Sequence, residues 1–332
     1  MASPRLRLGI SGCGGIARYI FNECIGLECI QPVAGYDPNR ANLAKFQEIT
    51  SCEAVESYEA LIGRKDIDAV VLAAPPVDRV PQVLPAAQAG KAIFSEKPLA
   101  LSVAEGKRLV DGCHAAKVPL MVGQVLRFFG GFGRMARVIH QGDLGKPLAL
   151  QSNRLGTPFP SGYRDAWRLK QATTGGLLYE VHVHEFDLSR VLCGKPLRVS
   201  GQSRRYGVDQ ETDFDDLLLG TIEFDSGALG QYHFSQVSAH NEVCFKVFLE
   251  KGAAWATFGD AYVQRWDQEP ELIQPEEAEE PPYRKEIRLF AEAVLKGEPM
   301  PIPGEEGLWN VAMAEAFMKS AESGKIVDVS VD

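Results

Sequence analysis

Lys97 stands in Ser95-Glu96-Lys97-Pro98, directly after the apolar run Ala92-Ile93-Phe94. A lysine that closes a buried strand ahead of a proline has its backbone held, because the proline ring keeps the preceding residue extended. An ammonium held in that way is well placed to donate to a substrate oxygen. Further along, Gly175-Gly176-Leu177-Leu178-Tyr179-Glu180-Val181-His182-Val183-His184 puts Glu180 and His184 four residues apart. On a helix they share a face that His182 does not. Lysine, carboxylate and histidine suit proton transfer, since histidine ordinarily titrates nearest neutrality. Taken singly, Lys97 reads as a surface lysine and His184 as a core histidine; the residues around them give both weight. Two histidines two apart on a helix bind a metal poorly and no His-Glu-x-x-His occurs, so no metal centre is expected. Glu185 and Asp187 are expected in packing or surface contacts.

The first element that must position Lys97 is a glycine turn. A strand over 6–11 runs into Gly12-Cys13-Gly14-Gly15-Ile16-Ala17, and apolar residues at helical spacing follow over 18–27. In such a turn the first glycine permits the bend, the second admits a pyrophosphate, and the third small residue lets helix and strand pack closely. The helix N-terminus offers N–H groups to the anion. A second strand, 31–36, ends in Asp37, where an acid binds the adenosine ribose hydroxyls. Asp37 repels a 2′-phosphate and favours NAD; Arg40 partly offsets that, so NADP stays the alternative.

Helices at 39–49, 79–89 and 102–117 alternate with strands at 68–74, 92–95 and 119–123, which predicts a parallel sheet with right-handed crossovers. Ligands of such sheets bind beyond the carboxyl ends of the strands. Gly12, Gly14, Gly15, Ile16, Ala17, Asp37, Arg40, Ala74, Pro75, Pro76, Glu96 and Lys97 are therefore the candidate cofactor residues, and Lys97 is expected to face the cofactor. After residue 123 the pattern changes. A helix over 130–141 and a strand over 148–154 lead into a loop over 154–170 rich in arginine and aromatics. Strands then crowd together at 197–206, 216–224, 228–237, 243–250, 254–258 and 262–266, which means an antiparallel sheet. Residues 268–282, acidic and proline-rich, read as a solvated loop, with helices at 285–295 and 306–323 and a short strand at 326–331 behind it. The expected fold is thus α/β plus α+β: a Rossmann dinucleotide-binding domain over 1–123 and a mostly antiparallel open-sheet domain over 124–332 for substrate binding and oligomerisation. The last helix is expected to pack back on the first domain.

Composition narrows the partners. With 332 residues and a formal charge of -9, the chain is long enough for two cores and too acidic to suggest a nucleic-acid surface. Seven cysteines without a Cys-x-x-Cys pair point to reduced, mostly buried thiols. The apolar runs are too short to span a bilayer, and no signal segment precedes the first strand, so a soluble, cytoplasmic protein with small-molecule partners is expected.

Taken together, Gly12-x-Gly14-x-x-Ala17, Asp37, Pro75-Pro76, Gly90-Lys91, Glu96-Lys97-Pro98, Arg127-Phe128, Gly142-x-Leu144-Gly145, Trp167-Arg168, Gly175-Gly176 and Glu180-x-x-x-His184-x-x-Asp187 resemble the Gfo/Idh/MocA family, which includes glucose-fructose oxidoreductase and inositol dehydrogenase. The resemblance implies an NAD(P)-dependent dehydrogenase acting on a secondary alcohol of a sugar, cyclitol or sugar acid, assembled as a homodimer or homotetramer. It also places the catalytic residues at Lys97, Glu180 and His184. His184 would take the hydroxyl proton, Lys97 would orient the same oxygen, and Glu180 would hold an adjacent hydroxyl. Two departures stand out: Glu180 where an aspartate is common, and Arg79 where many members carry histidine, its target left open between cofactor and substrate. The substrate wall is expected from the loop. Trp167 either stacks on a sugar ring or fills a core, and Arg164 and Arg168 either meet substrate or lie on the surface. Arg127 is expected to be structural or substrate-positioning. The family also holds enzymes that retain and recycle NAD in glycoside cleavage or epimerisation, and cofactor-binding regulators.

Overall fold

The computed structural model describes residues 4–160 and 163–332. The chain divides into two compact units, one running to Gln124 and taking in Glu280–Leu308, the other comprising Val125–Glu279 and Trp309–Asp332.

In the first unit β1 (Leu6–Ser11), β2 (Ile30–Tyr36), β3 (Glu53–Ala54), β4 (Ala69–Leu72), β5 (Ala92–Glu96) and β6 (Leu120–Gly123) form a parallel six-stranded sheet in the order β3-β2-β1-β4-β5-β6. The crossovers are α1 (Gly15–Glu23), α2 (Arg40–Thr50), α3 (Tyr58–Ile62), α4 (Pro76–Gln88) and α5 (Val103–Ala116). β4 and β5 are buried throughout, as strands covered on both faces must be. The expected doubly wound sheet is there, with two boundary differences. α4 starts three residues before 79, because Pro76 suits the first helical turn, where its missing N–H costs nothing. α3 is an additional five-residue helix whose signal is Ser57, which accepts from the Ala60 amide at 3.1 Å.

In the second unit, β7 (Pro147–Leu155), β8 (Pro196–Arg204), β9 (Leu217–Phe224), β10 (Leu229–Ser235), β11 (Glu242–Leu249), β12 (Gly252–Ala256), β13 (Ala261–Arg265), β14 (Glu271–Leu272) and β15 (Val327–Asp328) form a nine-stranded sheet. Its order is β14-β13-β12-β11-β7-β10-β9-β8-β15, antiparallel except where β7 and β10 run parallel. α6 (Gly130–His140), α7 (Gln171–Thr174) and α8 (Val183–Cys193) belong to this unit. Residues 268–282 are more than a solvated loop: Glu279 reaches the buried Arg134 at 2.6 Å and Glu276 pairs with Arg137.

Two late helices complete the units. α9 (Pro282–Lys296) lies in the first, where Glu23 of α1 accepts from the Tyr283 amide at 2.9 Å and Phe290 meets Phe94 edge-on. α10 (Gly304–Ser323), the helix expected on the first domain, is divided: Gly304 and Gly307 pack on Leu120 and Val122, while Phe317 lies on β8 and β9. Gly201 and Gly220 sit opposite each other in register, and a Cβ on Gly220 would come within 2.4 Å of the Phe317 ring. The paired glycines make the space that the ring fills. Gly220→Ala is accordingly expected to destabilise the second unit by about 1–3 kcal/mol, the usual cost of overpacking. Urea unfolding of the intact chain checks this, and an unchanged midpoint would mean that the ring gives way freely.

Candidate functional site

Strand register brings the candidate residues of the first unit together. Tyr36, Ser11, Leu72, Ser95 and Val122 are paired across β2, β1, β4, β5 and β6, so the sheet ends in one row. Asp37, Gly12 and Ala73-Ala74 follow this row, and Glu96, the last residue of β5, leads into Lys97, with neighbouring strands about 4.8 Å apart. The topology reverses between β1 and β4, the position where open α/β sheets form their ligand crevice.

The turn after β1 fits a pyrophosphate. Gly12 adopts φ +84°, and a Cβ there would lie 2.3 Å from the Ala74 amide nitrogen, so only glycine allows the two turns to meet. A Cβ on Gly14 or Gly15 would meet open space, which leaves an uncovered approach to the first turn of α1. Ile16 is half-buried, and Ala17 is buried where helix and sheet pack. Asp37 is held by two main-chain donors, Cys13 N to Oδ2 and Asn39 N to Oδ1, both at 2.8 Å. Each carboxylate oxygen keeps a lone pair for a ribose hydroxyl. Arg40 is exposed and pairs with Glu56. Burial pushes the Cys24 and Cys193 thiols up to about 12, and the seven cysteines are free.

Ala74 and Pro75 are half-buried and Pro76 is buried. Glu96 is buried, and its Oε2 accepts from the Lys97 amide at 3.2 Å. Lys97 is half-buried, and its peptide bond to Pro98 is cis. Arg79 lies beneath this rim and is fully buried. It donates to Ser95 Oγ at 3.0 Å, to the Pro98 and Lys97 carbonyls at 2.8 and 3.1 Å, and to the Ala74 carbonyl at 3.3 Å. Its place on the core face of α4 was the available signal: Val80, Val83 and Ala87 share that face.

In the second unit the candidate residues are built around Gly175 and Gly176, at φ +81° and +86°. A Cβ on Gly175 would strike the Tyr179 ring at 2.7 Å, so the turn requires glycine. The segment beyond is not a plain helix. Leu178–His182 forms a wide π turn and α8 begins at Val183, so Glu180 and His184 lie on either side of a change in helical pitch. The four-residue spacing therefore overstated the regularity. Widened turns of this type are frequent at functional sites. Glu180 is buried and its Oε1 accepts from Arg168 Nε at 2.9 Å; His184 is half-buried in the first turn of α8.

Among the described loop residues, Arg168 is joined to Glu180. Its guanidinium also covers Trp167 at 4.5 Å and Tyr163 at 5.5 Å, so one face of the half-buried Trp167 carries a cation. Arg164 is engaged with Asp209 at 2.6 and 2.9 Å and with Glu211. Ser161 and Gly162 of this loop lie outside the described residues. Arg127 makes a two-pronged pair with Asp187, 2.5 and 2.6 Å, and Asn310 donates to the same carboxylate at 2.9 Å. His182 stacks on Phe234 with the rings 3.9 Å apart. Arg154 meets Glu185 at 2.7 Å. Burial pushes the Glu185 carboxyl up, but Arg154 and His182 more than offset it and hold the group well below the usual carboxylate range. Glu185 and Asp187 are thus structural anchors of the helix that carries His184.

Among the described residues no cluster is arranged to hold a metal ion, and no helix is long and apolar enough to cross a membrane. Two family models match the chain. One, described as an oxidoreductase family with an NAD-binding Rossmann fold, matches residues 6–124; the other, the GFO/IDH/MocA C-terminal domain, matches residues 132–255. The 1,5-anhydro-D-fructose reductase of Ensifer adhaerens is 26% identical over 288 residues, 83% of this chain and 84% of that protein. The myo-inositol 2-dehydrogenase of Thermotoga maritima is 26% identical over 335 residues, 97% of this chain and 98% of that protein. Among solved structures, the aldose-aldose oxidoreductase of Caulobacter crescentus superposes with a TM-score of 0.88 at 22% identity, covering 98% of this chain and 99% of its own.

Proposed function

Since the chain belongs to the Gfo/Idh/MocA family of NAD-binding oxidoreductases, we propose that it is a dehydrogenase acting on a CH–OH group of a sugar, cyclitol or sugar acid. The observation that carries this reading is the row of strand ends that sets the glycine turn, Asp37 and Lys97 along one sheet edge. The names of its relatives, a reductase of an anhydro sugar and an inositol dehydrogenase, support the substrate class.

Gly12, Gly14, Gly15 and the first turn of α1 would hold the pyrophosphate, and Asp37 would hold the adenosine ribose. Bound NAD supplies the hydride acceptor. His184 would accept the proton of the substrate hydroxyl in oxidation and return it in reduction. Lys97 donates to the same oxygen and stabilises the charge that builds there. Glu180, held in place by Arg168, accepts from a neighbouring hydroxyl. Trp167 contributes its ring edge to the substrate wall rather than the face that Arg168 covers. Arg164 and Arg127 support the fold of this region through their carboxylate pairs.

Asp37 gives the cofactor preference a sign. A 2′-phosphate would meet a carboxylate fixed on both oxygens, so NADH is expected to bind at least about tenfold tighter than NADPH, a difference of ~1.4 kcal/mol. Fluorescence titration of the purified protein with each cofactor checks this, and equal affinities would reverse it. The reaction itself is tested by the 340 nm band with NAD and a panel of inositols, aldoses, polyols and sugar acids. A rise with one substrate class supports a dehydrogenase. Silence across the panel, with NAD released on denaturation, would instead indicate a retained cofactor.

The outer face of the nine-stranded sheet carries Leu219, Leu229 and Phe248, each about half exposed, beside the stacked Trp255 and Tyr262. This face is the proposed contact with a second copy, which sedimentation at micromolar concentration would reveal as a dimer or tetramer. Free cysteines suit a cytoplasmic setting.

A further inference from the structure

Burying a guanidinium is unfavourable unless its donors are satisfied in good geometry. Arg79 is 0% exposed, and its donors are spent on one particular place. Nη1 reaches Ser95 Oγ and the Pro98 carbonyl, Nη2 the Lys97 carbonyl, and Nε the Ala74 carbonyl. One planar group thus ties the turn after β4 to the turn after β5. The first is the rim segment that meets Gly12, and the second carries Lys97.

We infer that Arg79 is the positioning residue for Lys97: its buried guanidinium fixes the Lys97 main chain relative to the cofactor rim, and so the aim of the ammonium. The inference rests on the reading of Lys97 as a catalytic residue. No shorter side chain reproduces the connection. A neutral histidine has one ring donor, and a lysine presents its three donors from a single point rather than from a fork. The chain therefore meets with an arginine, at a position inside a helix, a demand that lies at the ends of two strands. Ser95 takes part as well, since its hydroxyl accepts from Arg79 and donates to the Glu96 carbonyl at 3.3 Å. The consequence is specific: weakening the tie loosens residues 95–99 and 73–76 and slows chemistry, while the glycine turn and Asp37 continue to bind cofactor.

The test uses the full-length protein and the variants Arg79→Lys and Ser95→Ala. Hydrogen exchange followed by mass spectrometry is expected to show roughly tenfold faster uptake over 95–99 and 73–76 in Arg79→Lys, with α2 unchanged. Turnover is measured with NAD and the panel alcohol, unlabelled or deuterated at the reacting carbon. In Arg79→Lys, kcat is expected to fall about tenfold or more and its isotope effect to rise, with the Kd for NADH within about threefold of the parent. Ser95→Ala, a smaller change that keeps the core filled, is expected to move both readouts in the same direction by a few-fold. Unchanged exchange over 95–99 overturns the inference, and so does a rise spread evenly through the first unit, which is the mark of a core residue only. Lys97→Met separates the two levels. If it turns over like the parent, the catalytic reading of Lys97 fails, and the exchange pattern, which needs no substrate, still decides whether Arg79 holds that segment.

Discussion

His184→Asn is expected to lower kcat by roughly 10²- to 10⁴-fold, the range usual for a general acid–base group, while NADH affinity stays within about twofold. Asparagine keeps a hydrogen-bonding side chain of similar reach but cannot take up the hydroxyl proton, so the loss falls on the chemical step. Cofactor binding should be spared because the residues assigned to it all lie in the other unit. The helix should also survive the change. His184 is half-buried, whereas its anchors Glu185 and Asp187 are fully buried and paired with Arg154 and Arg127. Steady-state rates at saturating NAD, with a circular-dichroism melt as control, check the expectation. A parent-like kcat would remove His184 from the mechanism, and a drop matched by an equal fall in Tm would assign it to the fold.

Arg127→Met is expected to cost about 3–5 kcal/mol of stability, the penalty for leaving a buried charge without its partner. Asp187 is 0% exposed and sits between the Arg127 fork and the Asn310 amide, so removing the arginine leaves one neutral donor to hold a carboxylate in the core. At roughly 2–4 °C per kcal/mol, the melting temperature should fall on the order of 10 °C. Activity per folded molecule should change little, with KM for the alcohol steady. This separates the two roles that the sequence left open for Arg127. A raised KM at unchanged Tm would show that it meets substrate instead. The double variant Arg127→Met with Asp187→Leu should recover much of the loss, because an apolar pair of similar volume carries no unpaired charge.

Much of the first unit was legible in the sequence because its requirements are local. Gly12 must reach a positive φ, Asp37 must end its strand, and strands and helices alternate at short range. Each of these is written within a dozen residues, and the register of the parallel strands then lines the turns up without further instruction. Lys97 and the Gly175-Gly176 turn were legible for the same reason. The paired glycines at 201 and 220 were not, since their partner is Phe317 on a helix about a hundred residues later.

What the tertiary structure alone decided is where the charges go. Arg127, Arg164 and Arg168 looked alike as candidates for substrate, yet they find Asp187, Asp209 and Glu180 respectively, the first of these 60 residues away. Arg79 looked like a departure at the cofactor rim and proved to be a buried tie beneath it. A guanidinium has no periodicity or preferred backbone angle to betray its partner. The choice is made by whichever oxygens the fold brings within about 3 Å, and burial makes that choice binding because an unpaired charge cannot stay in the core. The sequence by itself therefore determined the parallel sheet, the glycine turns and the family, and the packed structure determined which carboxylates the arginines meet, Glu180 among them.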